Sequence, residues 1–241
     1  MESCLETREA RAPMGRRTLE RRGLLALLRA REIEVAAAEL RRLPGRGFVG
    51  PLRTALCGDE EAKWSAVTLI GLLTAELALR DLESARVVLR TLIWSLTEES
   101  GGIPWGVPES MAEIMACHEI LAREYAPILV SYAREDGRFL EYEPLQRGLV
   151  WGIGRLAQVR PELLRAQDAG RYLLPYLGSG DATVRGRAAW ALGWIGARGA
   201  AAKLEALLED REEIWIYLDR ELVTHRVGDL ASQALARIRD R

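Results

Sequence analysis

Few residues in this chain have both the type and the spacing that chemistry needs. His118 stands beside Glu119, and His225 is the only other histidine. Two histidines cannot build a three-histidine metal site. Cys4, Cys57 and Cys117 contain no C-x-x-C pair, so neither a zinc site nor a disulfide framework is expected. There is no G-x-S-x-G elbow for a nucleophilic serine. Gly152-x-Gly154 follows no strand and reads as a close helix contact, not a phosphate loop. Glu98, Glu99, Glu109 and Glu113 crowd one stretch, where they read as solvent-facing charges or as paired acids.

The tryptophans offer more. The chain holds seven. Trp105 lies four residues before Glu109, in a segment rich in Gly and Pro. It either plugs a gap between helical units or sits on a ligand-contacting loop. Trp151 and Trp190 have arginines around them, Arg147, Arg155, Arg185 and Arg187. If the two rings face neighbouring helices they are core. If they face a groove, they form a platform for a peptide or a stacked base. The candidate binding set is therefore Trp105, Glu109, Arg147, Trp151, Arg155, Arg187 and Trp190. No catalytic residue, metal ligand or cofactor is singled out. Arg147, Trp151, Arg187 and Trp190 are expected to form one continuous patch with the Gly101–Glu109 loop, and Arg147 and Arg187 are expected to be dispensable for stability.

The elements that must position these residues are repeats. DEEAKWSAVTLIGLL at 59–73 aligns without a gap on DATVRGRAAWALGWI at 181–195. LQRGLVWGIGRLA at 145–157 aligns on 184–196, which places Trp151 on Trp190 and Ile153 on Leu192. A further match carries Ala188, Ala191, Leu192 and Ile195 to Ala231, Ala234, Leu235 and Ile238. The period is roughly 40 residues, the spacing of helical solenoid repeats. Within one unit, Gly178-Ser179-Gly180 breaks a short apolar helix and Asp181 stands where an N-cap is needed. Val184, Ala188, Ala191, Leu192 and Ile195 then form one buried stripe at three- and four-residue spacing. Such a unit cannot bury its face alone; stacking supplies the core.

D-x-x-V-R-x-x-A-A-x-A-L-G resembles the second-helix signature of HEAT-like repeats of the phycobilisome-lyase and armadillo type, over roughly residues 48–239. The resemblance implies an all-α, right-handed superhelix of antiparallel helix pairs and no particular activity. HEAT-like hydroxylases hold a di-iron centre with several His-Glu pairs, and His118-Glu119 is a lone match. Trp105-x-x-x-Glu109 and Trp190-Ala191-Leu192, with Arg147 between them, resemble elements of HEAT-like alkylpurine DNA glycosylases. In that family the aromatic faces and the carboxylate would stabilise a cationic lesion. Here the carboxylate is Glu, Pro108 precedes it, and the family's Trp-Asp pair is Trp105-Gly106.

The expected layout is a basic arm at 1–16 and capping helices at 19–31 and 32–43. Five pairs follow: 48–57 with 59–78, 81–97 with 108–122, 124–135 with 143–158, 161–178 with 182–196, and 199–209 with 228–239. The β-branched and aromatic residues at 213–227 read as a small β-hairpin inside the last unit, the alternative being a continuous helix from Glu212. Net charge is −1. Residues 1–58 hold twelve arginines and seven carboxylates, so the rest carries a surplus of six negative charges. That body disfavours nonspecific nucleic-acid binding, and no apolar run spans a membrane. The expectation is a cytoplasmic, non-enzymatic scaffold whose concave face binds a protein or peptide segment. The alternatives are the glycosylase, or a lyase or chaperone for a cofactor-bearing protein.

Overall fold

The computed structural model describes residues 21–97 and 102–240. The arm at 1–16, Cys4 and Glu98 to Gly101 lie outside the described residues. A cap of α1 (Arg21–Arg29) and α2 (Ile33–Arg41) leads into five stacked units. Their first helices are α3 (Val49–Ala55), α5 (Leu82–Thr97), α7 (Glu119–Ser131), the split pair α9 (Pro161–Ala166) and α10 (Ala169–Leu173), and α12 (Ala201–Glu205). Their second helices are α4 (Glu60–Ala78), α6 (Val107–Cys117), α8 (Glu143–Val159), α11 (Ala182–Ile195) and α13 (Val227–Arg239). Each second helix packs on the next, giving one continuous inner wall.

Local chemistry explains the helix starts. Asp59 accepts the amide of Ala62 at 3.0 Å and Asp181 those of Thr183 and Val184 at 2.8 and 3.3 Å, the two caps expected from the aligned aspartates. Ile70, Ile153 and Leu192 are all fully buried, so the three aligned positions occupy equivalent interior places. Full burial of such a side chain stabilises by about 1.5–3 kcal/mol.

The alignment also explains three glycines. Gly71, Gly154 and Gly193 share one repeat position, and each lies where the next inner helix approaches. A methyl group there would strike Glu113, the Trp190 ring or Ala234 respectively.

Several boundaries differ from the sequence reading, among them the helix expected over 124–135, which runs from Glu119 to Ser131. The helix expected over 108–122 ends at Cys117, because His118 is extended and caps α7 instead, its Nδ1 accepting the amide of Leu121 at 3.4 Å. The helix expected over 161–178 breaks at Asp168, whose φ of 53° is left-handed. The hairpin is present: β1 (Glu213–Leu218) pairs antiparallel with β2 (Glu221–Arg226). Its two-residue turn, Asp219-Arg220, has both φ values positive, the geometry of a tight hairpin.

The hairpin lies across the inner wall. Tyr217 stacks on Trp64 of α4 with centroids 4.7 Å apart, and its hydroxyl meets Thr68 at 2.9 Å. Trp151 of α8 donates to the Tyr217 carbonyl at 2.8 Å. Trp64 and Trp151, two units apart, touch edge to face at 4.6 Å. That contact requires the wall to curve inward, so the hairpin fills part of its concave side. At the hairpin tip, Arg31 donates to the Arg220 carbonyl, and Arg220 lies 3.7 Å from Glu34. The cap and the last unit thereby meet across the concavity.

Candidate functional site

Beside the hairpin a cavity of about 880 Å³ opens at the N-terminal ends of the inner helices. Trp105, Glu109, Arg147 and Arg187 all line it, with Lys63 and Trp215. Four residues chosen from the sequence are thus brought together. The connection 102–106 delivers Trp105, which is half-buried with its ring edge-on to Tyr142 at 6.2 Å. Gly106, at φ 68°, turns the chain into α6. Glu109 sits in the first turn of α6, where the helix dipole favours a carboxylate. It is 3% exposed and ion-paired to Lys63 at 3.0 Å. Gly148 of α8 makes room for it, since a methyl group there would collide with the carboxylate.

Arg147 and Arg187 play different parts. The Arg147 side chain is half-exposed and holds Asp181 at 2.5 Å. Arg187 is buried beneath the hairpin, donating to the carbonyls of Arg147 at 3.0 Å and Trp215 at 2.8 Å, with its cation 5.8 Å from the Trp64 ring centroid. Burial pushes its guanidinium down to about 10, against the pull of the Glu109 and Glu60 charges, so it is still protonated at neutral pH. Its Nε has no hydrogen-bond partner. The expectation that Arg187 is dispensable for stability is corrected by this burial.

The other three candidates lie elsewhere. Trp190 is 2% exposed and packs against Gly154 of α8, inside the stack. It has no face toward the concavity, although Trp151 at the same repeat position has one, because its ring fills the space that Gly154 leaves on the preceding inner helix. Trp151 does face the concavity, but Tyr217 covers it. Arg155 pairs with Glu113 at 2.8 and 3.2 Å and lines a separate cavity of about 400 Å³ on the far side of the hairpin. The single patch expected from the sequence is therefore divided by the hairpin into two.

Lys63, Trp64 and Trp215 were not singled out by sequence reasoning. A signal for Lys63 existed, since it aligns with Arg185. The two act alike: Lys63 bridges to Glu109 and Arg185 to Asp210, each reaching past its own helix to a carboxylate further along the chain. Nothing local marks Trp215, which is 61% exposed on a strand whose docking is set by tertiary contacts. Among the described residues, no group of three or more His, Cys, Asp or Glu could hold a metal ion.

Stacked helix pairs around one curved inner wall define an α-solenoid. Residues 143–193, which span α8 to α11, match the family model described as HEAT-like repeat. No curated protein matches the chain. Among solved structures, the chain is similar to an engineered protein at 17% identity, TM-score 0.56, covering 93% of both chains. It is also similar to a designed armadillo repeat protein at 20% identity, TM-score 0.53, covering 92% of this chain and 96% of that one. A third, a designed armadillo repeat protein in complex with the peptide (KR)4, is 19% identical with TM-score 0.53, covering 91% and 99%. At these identities the likeness is one of fold. Among the described residues, no helix is long and apolar enough to cross a membrane.

Proposed function

We propose that this protein is a non-enzymatic binding protein whose concave cavity takes a short segment of a partner protein. The observation that carries this reading is the convergence of Trp105, Glu109, Arg147 and Arg187, from three inner helices and a loop, on one cavity of about 880 Å³. Aromatic area with a few placed polar groups is the usual make-up of a recognition site. The (KR)4 complex of a structural neighbour supports it, since a repeat protein of similar fold holds a peptide. The ion pairs Lys63–Glu109 and Arg147–Asp181 join different helices, and so hold the cavity's shape before a ligand arrives.

A second reading has one observation in its favour. Trp105, Glu109 and Arg147 are the residues that resemble the alkylpurine glycosylase elements, and they share the cavity. Against it, the second tryptophan of that pattern, Trp190, is in the core, and Lys63 already neutralises Glu109. The test is capture from cell extract with wild-type protein and with Arg147→Ala, beside a gel shift on duplex DNA at moderate salt. A protein retained by wild type and lost by the variant is expected. A DNA shift with no such protein would replace the first reading by the second.

A further inference from the structure

We infer that the cavity is built for the C-terminal end of a peptide: the terminal carboxylate enters toward Arg187, and a lysine or arginine of the same segment rests at the rim. This rests on the binding role proposed above and names the partner's chemistry.

The buried end of the cavity carries surplus positive charge. Lys63 is balanced by Glu109 and Arg147 by Asp181. Arg187, only 5% exposed, has no carboxylate within ion-pair distance among the described residues; its bonds go to two main-chain carbonyls, and its Nε has no partner. A buried donor left unmatched is costly, and an acceptor on a ligand relieves that cost. A carboxylate is the planar, two-oxygen acceptor that suits a guanidinium. Arg187 is buried, so the attraction is stronger than at the surface.

The open end has the opposite sign. Glu60, Glu61 and Glu213 line the cavity and are exposed. Glu60 accepts from the Trp64 indole at 2.8 Å. Glu61 has no cation within ion-pair distance among the described residues, and the partner of Glu213, Arg226, is 3.9 Å away with both side chains more than half exposed. Trp105 and Trp215 line the same cavity, and aromatic faces attract cations. Positive depth and a negative, aromatic rim fit a basic chain end. They repel a phosphate backbone, which would meet the rim acids first. An internal Asp or Glu could also reach Arg187, so the test separates a chain end from a side chain.

Immobilised full-length protein is presented with two random heptapeptide libraries, one of free acids and one of C-terminal amides, and retained peptides are sequenced by mass spectrometry. The free-acid library is expected to be retained at least about tenfold more than the amides, with Lys or Arg enriched near the C-terminus. Arg147→Gln and Glu61→Gln, both at exposed positions, are expected to lower retention without changing the melting temperature. Equal retention of acids and amides, whether or not internal Asp and Glu are enriched, would overturn the inference and leave the peptide-binding role standing. Retention of neither library would overturn both.

Discussion

Arg147 and Arg187 are one position apart in the repeat register and are expected on one surface, yet burial separates their roles. Arg187→Ala removes two hydrogen bonds and leaves a void under the hairpin. It is expected to cost about 2–4 kcal/mol. Arg187→Met keeps much of the volume and removes a buried charge that has no close partner, so its cost is expected to be smaller. Arg147→Ala breaks only a half-exposed ion pair and is expected to cost less than about 1 kcal/mol. Chemical denaturation of the three variants checks this ordering, and equal losses would contradict the burial argument. The thiols make a second pair. Cys57 is exposed, whereas burial, reinforced by the Glu113 charge, pushes the Cys117 thiol up to about 12. Iodoacetamide at pH 8.5 is expected to label Cys57 well before Cys117, as read by peptide mass spectrometry. Cys117 therefore contributes stability that is full below its unfolded value of 9.0 and is lost as pH rises toward 12. Burial raises the Tyr125, Tyr132, Tyr176 and Tyr217 hydroxyls as well, and these act in the same direction. The denaturation midpoint is expected to fall steadily above pH 9, and to fall less in Cys117→Ala.

At the scale of elements, the inner helices and the hairpin obey different rules. The helices were legible because each unit repeats its own cap, stripe and glycine: Asp59 and Asp181 cap, Ile70 and Leu192 are buried, and Gly71 and Gly193 admit the next helix. Gly154→Ala would drive a methyl group into the Trp190 ring on the facing helix. It is expected to cost about 1–3 kcal/mol, measurable by thermal or urea denaturation, whereas Gly180→Ala, with open space around it, should cost little. The hairpin was legible as an element from Ile214-Trp215-Ile216-Tyr217, but its destination was not. Its seat depends on the Trp64 ring, the Trp151 indole and Arg187, which come from three different units. Tyr217→Ala removes the stacked ring and is expected to make the 219–220 turn a protease site, seen as a new cleavage in limited proteolysis.

For the whole molecule, the hairpin is a cross-brace. It joins the last unit to the inner wall through Trp151 and Arg187, and to the cap through Arg31 and Glu34. An ordinary solenoid has only neighbour contacts along its length; here residues 189 positions apart touch. Replacing 213–226 by a short Gly-Ser linker should let the superhelix open, raising the radius of gyration in small-angle scattering while circular dichroism keeps its helical signal. An unchanged radius would mean that the inner wall alone sets the curvature. The same replacement removes Glu213, Trp215 and one wall of the cavity, so peptide retention should be lost with it.

The residues by themselves determined the periodic part of this protein: the α-solenoid, its five helix pairs, the buried stripe and the hairpin's place in the chain. Each of these depends on spacing within a few turns or on a motif copied along the chain, and both are written in the sequence. Tertiary structure alone decided that Trp190 is core, that Tyr217 covers Trp151, that Arg187 is buried, and that Lys63 and Trp215 share a cavity with Glu109. Those outcomes depend on how far the wall curves and on which side chains meet across it, and that geometry is set by the packing of all five units at once.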